Sequence, residues 1–214
     1  MGKTYRVNEV FYSLQGEGVR TGTAAVFVRF SGCNLRCTKK TVGFDCDTLH
    51  ERWSGPDHLQ GGGEYTGTGL VRIVKELGQP CRWVIFTGGE PLLQLDASLA
   101  RRFLTAGYSL AIETNGTLPL PIDQRAFGWI AVSPKRNTEI VFTRCNELRV
   151  VLTKGEDLWW PPGIEFASGV VSPAFVGKRG RRLNRATLEW CIEIVKKNPK
   201  WRLSVQQHKE WRVR

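Results

Sequence analysis

Eight short, mostly apolar stretches recur along this chain, at 5–12, 24–30, 83–86, 110–112, 130–132, 148–152, 169–171 and 203–205, and they restrict its fold more than any other feature. Several are apolar at every position rather than at alternate ones. Strands covered on both faces read that way, as those of parallel sheets do. Only three helices are readable between them. Leu70, Val71, Ile73, Val74 and Leu77 share one face, with Thr68 as cap and Gly78 as stop. Leu95, Leu99, Phe103 and Leu104 share a second, stopped by Gly107. Leu188, Cys191, Ile192 and Val195 share a third, opened by Asn184 and followed by Pro199. The pattern predicts an α/β fold with a mostly parallel sheet. Three helices are too few for a complete eightfold barrel. Loops must replace some crossovers, at 118–127 and 157–167. The glycine-rich segment 54–69 reads as a flexible surface insertion.

The chemistry concentrates in one stretch. Cys33, Cys37 and Cys46 lie within Gly32-Cys33-Asn34-Leu35-Arg36-Cys37 and Asp45-Cys46-Asp47-Thr48. Three thiolates can hold a [4Fe–4S] cluster and leave one iron open to a small chelating cofactor. Zinc is the rival: it wants four N/S ligands, and His50 or, more weakly, His58 could serve as the fourth. The spacing alone leaves both open. About one βα unit later, Thr87-Gly88-Gly89-Glu90-Pro91 follows the 83–86 strand. Its glycines let a ligand approach the backbone closely, and Glu90 offers a carboxylate to an ammonium group. Cys81, Cys145 and Cys191 are isolated and read as small buried hydrophobes.

The cysteine stretch followed by Gly88-Gly89-Glu90-Pro91 resembles the radical S-adenosylmethionine (SAM) superfamily. Further segments narrow the resemblance to the 7-carboxy-7-deazaguanine synthase family: Gln15-Gly16-Glu17-Gly18, Gly32-Cys33-Asn34-Leu35, Cys46-Asp47-Thr48, Glu113-Thr114-Asn115-Gly116, Ser133-Pro134-Lys135 and Gln207-His208-Lys209. They follow the family's order over nearly the whole chain. The resemblance implies an abbreviated radical SAM barrel as a single domain over 1–214, with a cluster loop at 33–48. It implies ring contraction of 6-carboxy-5,6,7,8-tetrahydropterin to 7-carboxy-7-deazaguanine with loss of ammonia, on the route to queuosine and other 7-deazapurines. The implied cofactors are a [4Fe–4S] cluster, SAM and Mg²⁺.

By the same resemblance, Cys33, Cys37 and Cys46 are the cluster ligands and Thr48 gives an oxygen to Mg²⁺, a hard cation suited to hydroxyl ligands. Gly88, Gly89, Glu90, Glu113, Ser133 and Lys135 contact SAM. Gln15, Glu17, Arg29, Thr87 and His208 contact the pterin, joined by the terminal carboxylate of Arg214. Arg29 also stands out by itself, because a lone cation in an apolar strand needs a partner or a ligand carboxylate. Two departures accompany the match. The common superfamily spacing is Cys-x₃-Cys-x₂-Cys, but here eight residues separate Cys37 from Cys46 and Phe44 sits one position early. Family members often carry glutamine before the proline corresponding to Pro173, where this chain has Ser172.

Apolar residues make up 41% of the 214 and charged residues 24%, a globular composition. No apolar run is long enough for a transmembrane helix, and the first residues lack a signal core. A cytoplasmic protein is expected, with reduced thiols. The net charge of +11 favours anionic partners. The densest basic run, Lys178-Arg179-Gly180-Arg181-Arg182, lacks interleaved aromatics for RNA stacking, so nucleic acid is not required. The expected partners are the pterin, a one-electron donor such as flavodoxin or ferredoxin, and a second copy of the chain. The rivals are a radical SAM activase of a glycyl-radical enzyme and a basic zinc-containing RNA-binding module.

Overall fold

The structure, a computed structural model, describes residues 2–46, 62–177 and 182–213. The chain runs β1 (Thr4–Leu14), β2 (Ala24–Phe30), α1 (Lys39–Val42), β3 (Gly63–Thr66), α2 (Gly67–Gly78), β4 (Trp83–Gly88), α3 (Ala97–Thr105), β5 (Ser109–Thr114), β6 (Phe127–Val132), β7 (Arg144–Leu152), β8 (Glu165–Pro173), β9 (Phe175–Val176), β10 (Arg182–Leu183), α4 (Arg185–Lys197), β11 (Trp201–Leu203) and α5 (Gln207–Trp211). Nine strands form one sheet in the order β11-β8-β7-β6-β5-β4-β2-β1-β3. From β11 across to β2 every neighbouring pair is parallel. Strands β1 and β3 add an antiparallel edge. The α/β class, the mostly parallel sheet and the three main helices α2, α3 and α4 are as expected. Among the described residues the sheet ends at β11 and β3 without closing.

Both faces of the sheet are covered, which is why the strands read as apolar throughout. On one face Val26, Val28, Phe30, Phe86, Leu110 and Ile112 pack with Leu70 and Val74 of α2 and Leu99 and Phe103 of α3. Burying each such large side chain contributes about 1.5–3 kcal/mol. On the other face Phe11, Ala25, Phe27, Ile85 and Ala111 form a smaller cluster. Two residues further along β2, β4 and β5 this second face presents Arg29, Thr87 and Glu113. A short apolar floor thus gives way to polar side chains toward the C-terminal strand ends, where parallel α/β folds build their sites.

Several expectations change in detail. Thr66, not Thr68, caps α2, its Oγ1 accepting from the Gly69 amide at 3.1 Å, because β3 runs straight into the helix. The segment 54–69 is therefore not one flexible insertion: Gly63–Thr66 pairs with β1, while 54–61 lie outside the described residues. Ile192 of α4 and Leu104 of α3 are more than a third exposed, and Thr187 and Ile194 take the buried positions on α4. The last strand stops at Leu203, although the Ser204 amide still donates to the Val171 carbonyl at 2.9 Å. Cys145 and Cys191 are buried small hydrophobes, and burial pushes both thiols up to about 12. Cys81 is only half-buried and donates to the Ala24 carbonyl at 3.3 Å. No described helix is long and apolar enough to cross a membrane.

Candidate active site

One cavity of about 500 Å³ opens on the second face of the sheet. It is lined by Gln15, Glu17, Arg29, Cys33, Cys37, Cys46, Thr87, Gly88, Gly89, Glu113, Ser133, Lys135 and His208. Those are thirteen of the sixteen residues singled out from the sequence. Thr48 and Arg214 lie outside the described residues. Glu90 is described but does not line the cavity.

The cysteine end is built from loops. Thr38 caps the four-residue helix α1 through the Thr41 amide, and Gly43 ends it in the left-handed region. The eight residues between Cys37 and Cys46 thereby close on themselves, and the Cys46 amide donates to the Cys37 carbonyl at 3.3 Å. Phe44 turns onto the cavity. The loop's other end is tied to the sheet: the Glu90 amide donates to the Gly32 carbonyl at 2.9 Å, and Asn115 Nδ2 donates to Asn34 Oδ1 at 3.0 Å. None of the three cysteines is in a disulfide. Burial raises the Cys33 and Cys37 thiols, while Lys135 opposes it. Among the described residues no three His, Cys, Asp or Glu side chains converge closely enough to hold one metal ion. A cubane cluster asks for something else: each thiolate binds its own iron, so the sulfurs stand apart around it. Three unbridged cysteines on one cavity wall fit that donor set.

The glycine turn brings the ends of β2 and β4 together. Gly88 has φ 119°, and a Cβ there would collide with the Phe30 carbonyl oxygen. Glu90 lies behind the cavity wall. Its carboxylate is fully buried and accepts from the Leu92 amide at 3.0 Å, the Thr114 hydroxyl at 2.8 Å and the Asn115 amide at 2.8 Å. The last residue of β5 and the one after it carry donors that need an acceptor, and Glu90 turns inward to satisfy them. Burial outweighs these bonds and leaves its pKa raised. Glu90 thus shapes the wall that Asn115 lines. Beside it Lys135 donates to the Ser133 carbonyl at 2.6 Å and hydroxyl at 2.9 Å.

The floor is an ion network. Arg149 of β7 bonds Glu147 at 2.7 Å and Glu17 at 2.7 Å, and reaches Glu113 at 3.4 Å. Glu113 also accepts from Gln15 at 3.0 Å and from the Thr87 hydroxyl at 2.9 Å. Glu17 accepts from Gln206 at 2.8 Å, and Arg29 bonds Glu9 at 2.7 Å. Burial pushes the Glu113 carboxyl up, but Arg149, Thr87 and Gln15 more than offset it, so its pKa is lowered. Below, Arg20 stands 3.5 Å from the centroid of the Trp83 ring. Helix α5 closes the side: the Gln207 amide donates to the Gly16 carbonyl at 2.9 Å, and only a glycine at 16 leaves room for the His208 ring.

Residues 14–117 match the family described as "4Fe-4S single cluster domain". The 7-carboxy-7-deazaguanine synthase of Burkholderia multivorans is 40% identical over 216 residues, covering 96% of this chain and 97% of that one. The chain belongs to the 7-carboxy-7-deazaguanine synthase family. The synthase of Bacteroides thetaiotaomicron is 39% identical, over 95% of this chain and 96% of its own. The crystal structure of QueE from Escherichia coli superposes with a TM-score of 0.70 at 26% identity, covering 95% of this chain and 94% of that one. The partial barrel expected from the family resemblance agrees with this match.

Within this synthase fold the structure adds residues that sequence reasoning missed: Glu9, Asn115, Glu147, Arg149 and Gln206. Four of them line the cavity, and Glu147 lies behind it. Arg149 carries the same signal as Arg29, a cation inside an apolar strand, and Glu147 two residues earlier is its counter-ion. Asn115 stands inside a recognised motif. Ser172 also lines the cavity, and its buried hydroxyl has no hydrogen-bond partner.

Proposed function

We propose that this chain is a 7-carboxy-7-deazaguanine synthase, contracting the ring of 6-carboxy-5,6,7,8-tetrahydropterin with loss of ammonia. One observation carries this beyond family membership. A single cavity has three unbridged cysteines and a glycine turn at one end and a Gln15–Glu17–Arg29–Glu113 polar network at the other. That arrangement suits two ligands held side by side.

In this reading Cys33, Cys37 and Cys46 hold a [4Fe–4S] cluster, and Thr48 contributes an oxygen to Mg²⁺. The cluster and SAM together supply one-electron radical chemistry when bound. Gly88 and Gly89 offer backbone groups to SAM, with Glu113, Ser133 and Lys135 beside them; Glu90 supports the wall rather than touching the ligand. Gln15, Glu17 and Thr87 present acceptors and donors to the pterin. Arg29 pairs with its carboxylate, displacing part of the Glu9 interaction. His208 closes the pocket from α5. The apolar cluster of Phe11, Phe27 and Ile85 keeps bulk water from the floor. The protein acts in the cytoplasm, as a homodimer, with a flavodoxin- or ferredoxin-like electron donor. A glycyl-radical activase has no use for these five side chains gathered in one cavity.

The test is anaerobic reconstitution followed by incubation with the pterin, SAM, Mg²⁺ and a reductant. Formation of 7-carboxy-7-deazaguanine, followed by mass spectrometry, is the expected result. A cluster-loaded protein that cleaves SAM but leaves the pterin intact would overturn the assignment.

A further inference from the structure

Arg149 is the most heavily paired cation described in the molecule. Its side chain is 9% exposed and meets three carboxylates, Glu147, Glu17 and Glu113, at 2.7, 2.7 and 3.4 Å. Glu147 is 1% exposed and also accepts from the Val19 amide at 2.8 Å, so it is an anchor that does not turn toward the cavity. Glu17 and Glu113 do line the cavity. Three carboxylates this close cannot all stay charged without a cation among them, because like charges in a poorly solvated site drive proton uptake. A guanidinium can hold all three, being planar, permanently charged and equipped with five donors in a fixed fork. The pattern is a buried anchor, a rigid cation and two carboxylates held toward a ligand.

We infer that Arg149 is a positioning residue for the substrate: braced on Glu147, it holds Glu17, on the pterin side, and Glu113, between the pterin and SAM, ionised and oriented toward the cavity. This rests on the proposed function for the identity of the ligand. An ionised carboxylate only accepts hydrogen bonds, whereas a protonated one also donates. The amino-pyrimidinone edge of a pterin presents N–H donors, so the ionised form of Glu17 recognises it better than the protonated form, in which one oxygen becomes a donor. Glu113 is faced by Arg149 from β7, Thr87 from β4, Arg29 from β2 and Gln15 from the loop after β1. Glu17 is faced by Arg149 and by Gln206 ahead of α5. The Arg29 charge bonds its own carboxylate, Glu9, whereas Arg149 bonds Glu17 and Glu113 directly.

The experiment uses cluster-reconstituted, SAM-loaded enzyme without reductant, so that the pterin binds but does not react. Equilibrium dialysis of 6-carboxytetrahydropterin from pH 5 to 8.5 compares wild type, Arg149→Met and Arg149→Lys. Arg149→Met is expected to bind about tenfold more weakly at pH 7, one decade per 1.4 kcal/mol. Its acid limb is expected to move up by about one pH unit, the sign that follows when a carboxylate loses its cation. Arg149→Lys should fall between, since a point charge cannot serve three carboxylates at once. An acid limb that stays in place in Arg149→Met overturns the inference, whatever happens to absolute affinity. If Arg149→Met does not accumulate folded with its iron, Arg149→Lys decides by the same criterion. If wild type does not bind the pterin, the proposed function fails instead. The titration is then read from ¹³C-glutamate carboxylate resonances, where an unmoved Glu113 and Glu17 overturns the role of Arg149.

Discussion

The two ends of the cavity are built on opposite plans. At the floor, side chains from β5 and β7 and from the loop after β1 satisfy one another: Arg149 meets three carboxylates, and Glu113 takes bonds from Gln15 and Thr87 as well. At the cysteine end the backbone carries the structure, through the Thr38 cap, the Cys46-to-Cys37 amide bond and the Gly32–Glu90 tie. The three thiols line the cavity at this end, and Cys33 Sγ accepts from the Leu35 amide at 3.4 Å. Protein chemistry can complete a polar pocket from its own side chains, because each donor finds an acceptor nearby. A cluster site needs the irons as well, because thiolates hold a [4Fe–4S] cluster by bonding its metal. The floor is thus preorganised by folding, whereas in the proposed reading the cysteine end is completed by its cluster.

Substitutions at the two ends should separate these plans. The largest effect is expected at Cys33, Cys37 and Cys46: each change to Ala should abolish the visible cluster absorbance and all turnover, while the pterin pocket keeps its fold by circular dichroism. Cys81, Cys145 and Cys191 should tolerate Ala with the cluster retained. A required Cys145, for example, would break the assignment of ligands. Next comes Gly88→Ala, which places a Cβ against the Phe30 carbonyl at a φ of 119°. Backbone strain of this kind costs about 1–3 kcal/mol before the collision is counted. A lowered Tm together with weakened SAM binding is expected; wild-type values for both would show that the turn yields easily.

At the floor, Arg29→Met should leave iron content unchanged and raise KM for the pterin. Losing one charge-assisted hydrogen bond is worth about 1.5–3 kcal/mol, or roughly tenfold to hundredfold. An unchanged KM would place the pterin carboxylate elsewhere. The smallest effect compares two glutamates by acid unfolding. Glu113 has a lowered pKa in the fold, so its contribution is present above its unfolded value of about 4.3 and is lost as pH falls. Glu90 has a raised pKa, so its contribution has the opposite sign and grows on acidification. Glu113→Gln should therefore flatten the fall of Tm below about pH 4 by about 2–4 °C, the shift expected for 1 kcal/mol in a chain of this size. Glu90→Gln should steepen it. Equal slopes for the two variants would show that the electrostatic contrast between the regions is absent.

Legibility follows range along the chain. Asn184 as a cap, Gly78 as the end of α2 and the apolar strands are readable because each depends on neighbours a few residues away. The cap of α2 reads two residues late because β3, which delivers Thr66 in an extended conformation, is visible only through its pairing with β1. The cavity-lining set is readable as motifs, yet motifs do not report orientation. Glu90 stands in one of the most specific of them, and its carboxylate faces away from the cavity. Arg149 and Glu147 belong to no motif and blend into their strand, although a charge in an apolar strand is the very signal that marks Arg29.

By itself the sequence determined which chemistry the chain can support: three thiols within fourteen residues, a glycine turn that admits a ligand, and apolar strands suited to a mostly parallel sheet. Those are properties of residue type and near spacing, and near spacing survives folding. Which carboxylates share a cation, and which way Glu90 faces, was decided by tertiary structure alone. The register of β5, β6 and β7 carries Glu113 and Glu147 to the same level across the sheet. There Arg149 meets Glu17 across 132 residues of chain. The energy of a buried ion depends on what surrounds it within a few ångströms, and only the assembled sheet specifies that.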